Sequence, residues 1–239
     1  MEASIFCSVM EIIALSSLVD ALLAGLLWYI LYQRRKKETT TSLLHTLQNY
    51  LLFFCGALFL TALTGALSYF FAQSYPHVLE ALKIFTQLLF FVALAYLGRI
   101  AAALLLRRRG TAEFYLLLLL GVLASVASGA ALYAPEFFEG SGALELIAAM
   151  SSSLFEVLLF GVWLLAGLSF LVEGLTAQLV TVRLRNLFFA LSLILISFSF
   201  ALRLYIHNVQ PDALFLAIAT SSLLSFIALY AASRKEYQL

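Results

Sequence analysis

Seven apolar runs, each long enough to span lipid as a helix, take up nearly the whole of this 239-residue chain. They lie near 4 to 32, 42 to 72, 79 to 106, 113 to 133, 143 to 172, 184 to 207 and 212 to 233. A hydrocarbon core of roughly 30 Å needs about 20 residues at about 1.5 Å rise each. Nothing in lipid satisfies an open backbone, so such segments have to be helices closed on their own hydrogen bonds. Charged residues make up only 11% of the chain, less than half of what a soluble domain carries, and a mean hydropathy of +1.03 agrees. Disordered protein, disulfide scaffold and nucleic-acid binder are excluded by that hydrophobicity, by two cysteines and by a net charge of +1.

The basic residues orient the spans. Lys and Arg are retained on the cytoplasmic side during insertion. Arg34, Arg35, Lys36 and Lys37 follow span one, and Arg107, Arg108 and Arg109 follow span three. Arg183 and Arg185 precede span six, and Arg234 and Lys235 follow span seven. The opposite connections, around Tyr75 to His77, Pro135 to Gly142 and Asn208 to Asp212, hold neither Lys nor Arg. The N-terminus is therefore expected outside and the C-terminus inside. Glu2 ahead of span one, with its positive cluster behind, reads as a retained anchor and not as a secretory signal. Cys7 and Cys55 fall at depths about 25 Å apart, beyond disulfide reach, and are expected to be free thiols.

The chain repeats itself. SSLVDALLAG at 16 to 25 matches SSLFEVLLFG at 152 to 161, an offset of 136. PHVLEALKIFTQLLFFVALAYLGR at 76 to 99 matches PDALFLAIATSSLLSFIALYAASR at 211 to 234, an offset of 135, with Pro76/Pro211, Phe91/Phe226 and Arg99/Arg234 among the identities. Span one then corresponds to span five and span three to span seven, with span four as linker. Two parallel three-helix units, 4 to 106 and 143 to 233, joined by 113 to 133, make one all-α transmembrane domain over 1 to 239. Sites in parallel-repeat folds lie near the midplane between the halves.

In this topology of seven spans, N-terminus out and 3+1+3 order, the chain resembles the SWEET and PQ-loop transporters of sugars and amino acids. It is more distantly similar to opsins and seven-helix receptors. The resemblance is architectural: spans one and five contain no Pro-Gln dipeptide, and span seven contains no lysine for an opsin-type Schiff base. It implies a solute site between the halves and carries over no individual residue. The three prolines, Pro76, Pro135 and Pro211, all lie between spans, so no helix is kinked by one, which favours a static receptor or complex subunit over a mobile carrier.

Two acids lie deep in spans, where a charge is costly and defaults to a functional reading. Asp20 is midway along span one and Glu156 midway along span five, equivalent positions of the repeat. Ser16 and Ser17 precede Asp20, and Ser152 and Ser153 precede Glu156, by three and four residues, which puts hydroxyls and carboxyl on one helical face. In a low-dielectric surrounding a carboxyl favours its protonated form, which can exchange a proton or hold a cation, or can instead fasten helices as a hydrogen-bond donor. Secondary candidates are Arg203 with His207 at the outer end of span six, Arg99 in span three, and His45 with Gln48 and Asn49 at the inner end of span two. Glu80 and Lys83 are spaced for an intrahelical pair. The small residues Ala124, Ser125, Ala127, Ser128, Gly129, Ala130 and Ala131 of span four suit close helix packing, within the bundle or in an oligomer.

No enzyme is expected. His45 is on one side and His77 and His207 on the other, so they form no common metal or haem site, and HExxH, CxxC and GxSxG are absent. The reading is thus a multi-pass cell-membrane protein with no cofactor or metal and no nucleic-acid partner. It moves a small polar or cationic solute; the alternatives are a receptor acting through a partner membrane protein and a non-catalytic subunit of a larger complex or homo-oligomer.

Overall fold

A computed structural model describes residues 2–35, 42–71, 76–106, 110–133 and 142–204, with side chains placed for 14–33, 45–68, 76–106, 110–130 and most of 158–198. Six helices make up these residues: α1 (Glu2–Arg35), α2 (Ser42–Phe71), α3 (Pro76–Leu105), α4 (Thr111–Tyr133), α5 (Gly142–Thr176) and α6 (Val180–Leu204). They match the first six expected spans to within about four residues at every end. The seventh, 212 to 233, lies outside the described residues. There is no strand among the described residues. Four stretches, Ala14–Gln33, His45–Ser68, Pro76–Leu105 and Thr111–Ala130, are long and apolar enough to cross a membrane, and Phe160–Thr176 is a shorter apolar stretch. The chain is a helical membrane protein.

The helix ends follow from local chemistry. Pro76 opens α3, where its missing N–H belongs to an unpaired first turn in any case. Gly110, immediately before α4, has a φ of +62°. The Leu106 amide donates to the Ala102 carbonyl at 2.9 Å at the end of α3, and the Phe114 amide to the Gly110 carbonyl at 3.2 Å at the start of α4. Three residues link α5 to α6. There the Arg183 guanidinium donates to the Ala177 carbonyl at 3.1 Å, satisfying a carbonyl past the end of α5.

Successive helices are antiparallel neighbours, and α3 is central, packing on α2, α4 and α5. Small residues decide how close the helices come. A Cβ on Gly121 of α4 would lie 2.4 Å from Cβ of Phe91 on α3, and one on Gly167 of α5 would lie 2.7 Å from Ile194 on α6. Neither crossing tolerates a side chain, and this is how helices in lipid gain contact without a hydrophobic drive. Gly121 lies one turn before Ala124 and Ser125, which are both buried, so this part of the expected small-residue stretch serves packing inside the bundle. Around α3 the core is aromatic: Phe54 meets Phe90 edge-on at 6.1 Å, and Phe53 stacks on Tyr96 at 5.7 Å.

These contacts separate two glycines. At Gly110 an added Cβ would meet the Arg99 carbonyl oxygen at 2.5 Å in a left-handed backbone, whereas at Gly161 nothing lies within 4 Å. Gly110→Ala is expected to lower stability by about 1–2 kcal/mol or more, and Gly161→Ala to raise it by about 0.5–1 kcal/mol through helix propensity. Thermal unfolding of both variants in detergent checks the opposite signs.

Candidate functional site

Over 14–33, where its side chains are described, helix α1 has one covered face. Ser17, Asp20, Ala21, Ala24, Leu27 and Leu31 are buried, a spacing of three and four residues that traces one stripe. Leu15, Leu18, Val19, Leu22 and Leu26 are exposed on the other side. Asp20 thus lies on the inward stripe, 5% exposed, with Ser17 one turn away at 0%. Among large aliphatic side chains that point to lipid, this is the arrangement that keeps a carboxyl out of hydrocarbon. The pairing of Ser17 with Asp20 expected from their spacing is therefore present as a shared buried face.

The stripe packs on α2. Ala14 faces Gly65, and the Cys55 thiol donates to the Ala21 carbonyl at 3.2 Å, one residue from Asp20. Cys55 is free, as expected, and half-buried. Asp20 and Ser16 each engage a partner inside the protein. Ser17 does not: its Oγ is buried with no hydrogen-bond partner, and Ser192 on α6 is in the same condition. A buried hydroxyl without a partner costs stability, so an orphan one turn from a buried carboxyl is a place where a ligand, ion or water would be held.

The other expected residues are distributed as follows. Glu156, Ser152 and Ser153 belong to α5 and Arg203 to α6, with side chains outside those described. At the start of α2, Asn49 Nδ2 lies 3.2 Å from His45 Nδ1, and Gln48 beside them is buried. Arg99 is half-buried on α3, with its carbonyl against the Gly110 turn. Glu80 and Lys83 form the expected intrahelical ion pair, partly exposed at the start of α3. Among the described residues no three His, Cys, Asp or Glu side chains converge as metal ligands.

A polar contact that spacing alone does not indicate lies deeper. Trp163 Nε1 on α5 donates to the Tyr50 hydroxyl on α2 at 2.9 Å, and both side chains are 0% exposed. The Trp163 ring also meets Phe54 edge-on at 5.5 Å. One signal was present in the sequence: Trp usually sits at a membrane interface, where its N–H is wet, and Trp163 stands well inside a span.

No family model matches this chain, and no curated protein and no solved structure shows significant similarity to it.

The site separates groups that hold the fold from groups that do not. Ser17→Ala is expected to leave the unfolding temperature unchanged or slightly higher, because the hydroxyl has no partner to lose. Trp163→Ala empties a fully buried aromatic position and is expected to cost about 3–5 kcal/mol. Parallel unfolding curves read the contrast directly.

Proposed function

We propose that this chain is a multi-pass transporter of the cell membrane that carries a small polar or cationic solute, with Asp20 as the proton- or cation-binding group. The observation that supports this most is the placement of Asp20 beside the orphaned Ser17 hydroxyl on the covered face of α1 among its described residues. A carboxyl used solely to fasten helices would be expected to have a saturated surrounding; here an adjacent buried donor is left open. Glu156, with Ser152 and Ser153, supplies the equivalent group in the second half through the sequence repeat.

In this reading the chain has seven spans in 3+1+3 order, with the arginine-bearing ends of α1 and α3 in the cytoplasm. The solute binds between the halves, and its positive charge or proton is balanced by the carboxylates. Arg99, Arg203, His45 and Asn49 are assigned to the ends of the pathway. The bundle has no cofactor to hold and carries out no covalent chemistry.

The test is uptake by proteoliposomes of a panel of radiolabelled sugars, amino acids and amines under an imposed pH gradient. At least one solute is expected to accumulate, and Asp20→Asn and Glu156→Gln are each expected to cut its initial rate at least about tenfold, the loss of one charge-assisted contact. Uptake equal to wild type in both variants contradicts the proposal. Loss of a co-purifying membrane partner in these variants, with no uptake by any form, would instead favour the complex-subunit reading.

A further inference from the structure

Of the four stretches long and apolar enough to cross a membrane, the one in α4 is the least buried. In lipid no hydrophobic drive presses such a helix against its neighbours, so it is held by close packing and by polar contacts between helices. Its main neighbour is α3, and glycines set the register of that seam. A Cβ on Gly121 would run into Phe91, and one on Gly129 would lie 3.9 Å from Ile84 Cδ1. Ser125 is one turn from each of these glycines, and Gln87 is one turn from both Phe91 and Ile84. The two helices are antiparallel, so Ser125 and Gln87 stand at the same level on facing stripes, with a glycine contact on either side of them.

Each brings an open polar atom to that level. Ser125 is 8% exposed and its Oγ has no hydrogen-bond partner; Gln87 Nε2 is buried and has none either. Neither atom is exposed to solvent. Polar groups close by are already engaged: Thr86 Oγ1 donates to the Leu82 carbonyl at 2.8 Å, and Ser128 has a partner. An open amide and an open hydroxyl each cost stability in an apolar seam. The two are also complementary, since Nε2 only donates and a hydroxyl oxygen accepts through two lone pairs.

Local chemistry supplies the closed arrangement. Hydroxyls in this bundle donate to the carbonyl four residues back, as Thr61 does to Ala57 at 2.9 Å and Thr64 to Leu60 at 2.7 Å. For Ser125 that carbonyl belongs to Gly121. A Ser125 O–H turned to it keeps the oxygen free to accept from Gln87 Nε2. Side-chain torsions alone make this change; no helix has to move and no cavity has to open.

We propose that Gln87 and Ser125 close on each other as an interhelical hydrogen bond, a clasp that fastens α4 to α3. It is independent of the role of Asp20.

Two measurements on the whole chain test it. In a background of Cys7→Ser and Cys55→Ser, the pair Gln87→Cys and Ser125→Cys is expected to be cross-linked by an oxidant in proteoliposomes about tenfold faster than the pair Phe85→Cys and Ser125→Cys, because Phe85 is exposed on another face of α3. Equal rates would overturn the facing arrangement. Thermal unfolding in detergent reads the bond itself. Ser125→Ala leaves the Gln87 amide open and is expected to lower the unfolding temperature by about 2–4 °C. Gln87→Leu added to it removes the open donor and is expected to restore most of that loss. A Ser125→Ala protein as stable as wild type, or single-variant shifts that merely add in the double variant, would overturn the clasp.

Discussion

In hydrocarbon a charged side chain has nowhere to go but inward, and this constraint organises the protein. The outward faces of the helices are Leu, Val and Phe, and the lipid asks nothing more of them. What polarity the spans contain is therefore directed at a neighbouring helix. Ser17 and Asp20 on α1, Gln48 and Tyr50 on α2, and Asn186, Ser192 and Ser197 on α6 are all buried. Some buried hydroxyls return to a backbone carbonyl, as when Ser197 donates to the Phe160 carbonyl at 3.1 Å and Thr64 to the Leu60 carbonyl at 2.7 Å, while those of Ser17, Ser125 and Ser192 have no partner. Of these three open hydroxyls, that of Ser17 lies one turn from a buried carboxyl, Asp20.

Packing gives the polar groups their positions. Where Gly121 lies under Phe91 and Gly167 under Ile194, helix axes come close and the crossings are rigid. Between α2 and α5 the contact is different in kind: rings and one hydrogen bond bridge helices that are not among the closely packed pairs of the described residues. The bundle thus combines tight glycine-set crossings with one side-chain bridge whose Trp163 and Tyr50 rings are fully buried.

The helices were legible because their length and hydropathy are imposed by the bilayer, and six expected spans coincide with α1 to α6. The Glu80–Lys83 pair was legible because its spacing is local. The covered face of α1 was not, since Leu occupies both of its sides and hydropathy alone cannot rank them; only Ser17 and Asp20 mark it. Tyr50 and Trp163 are 113 positions apart, and no periodicity links residues at that distance. The seventh span and the side chain of Glu156 lie outside the described residues, so the symmetry of the two acids rests on the repeat in the sequence.

The central claim is that Asp20 faces the interior of a membrane-embedded bundle. A nitroxide scan along α1 in bilayers, comparing collision with lipid-soluble oxygen at positions 17 to 22, measures it most directly. The account predicts low oxygen accessibility at 17, 20 and 21 and high accessibility at 18, 19 and 22. An accessibility at 20 equal to that at 19 and 22 would place the carboxyl toward lipid and contradict the account.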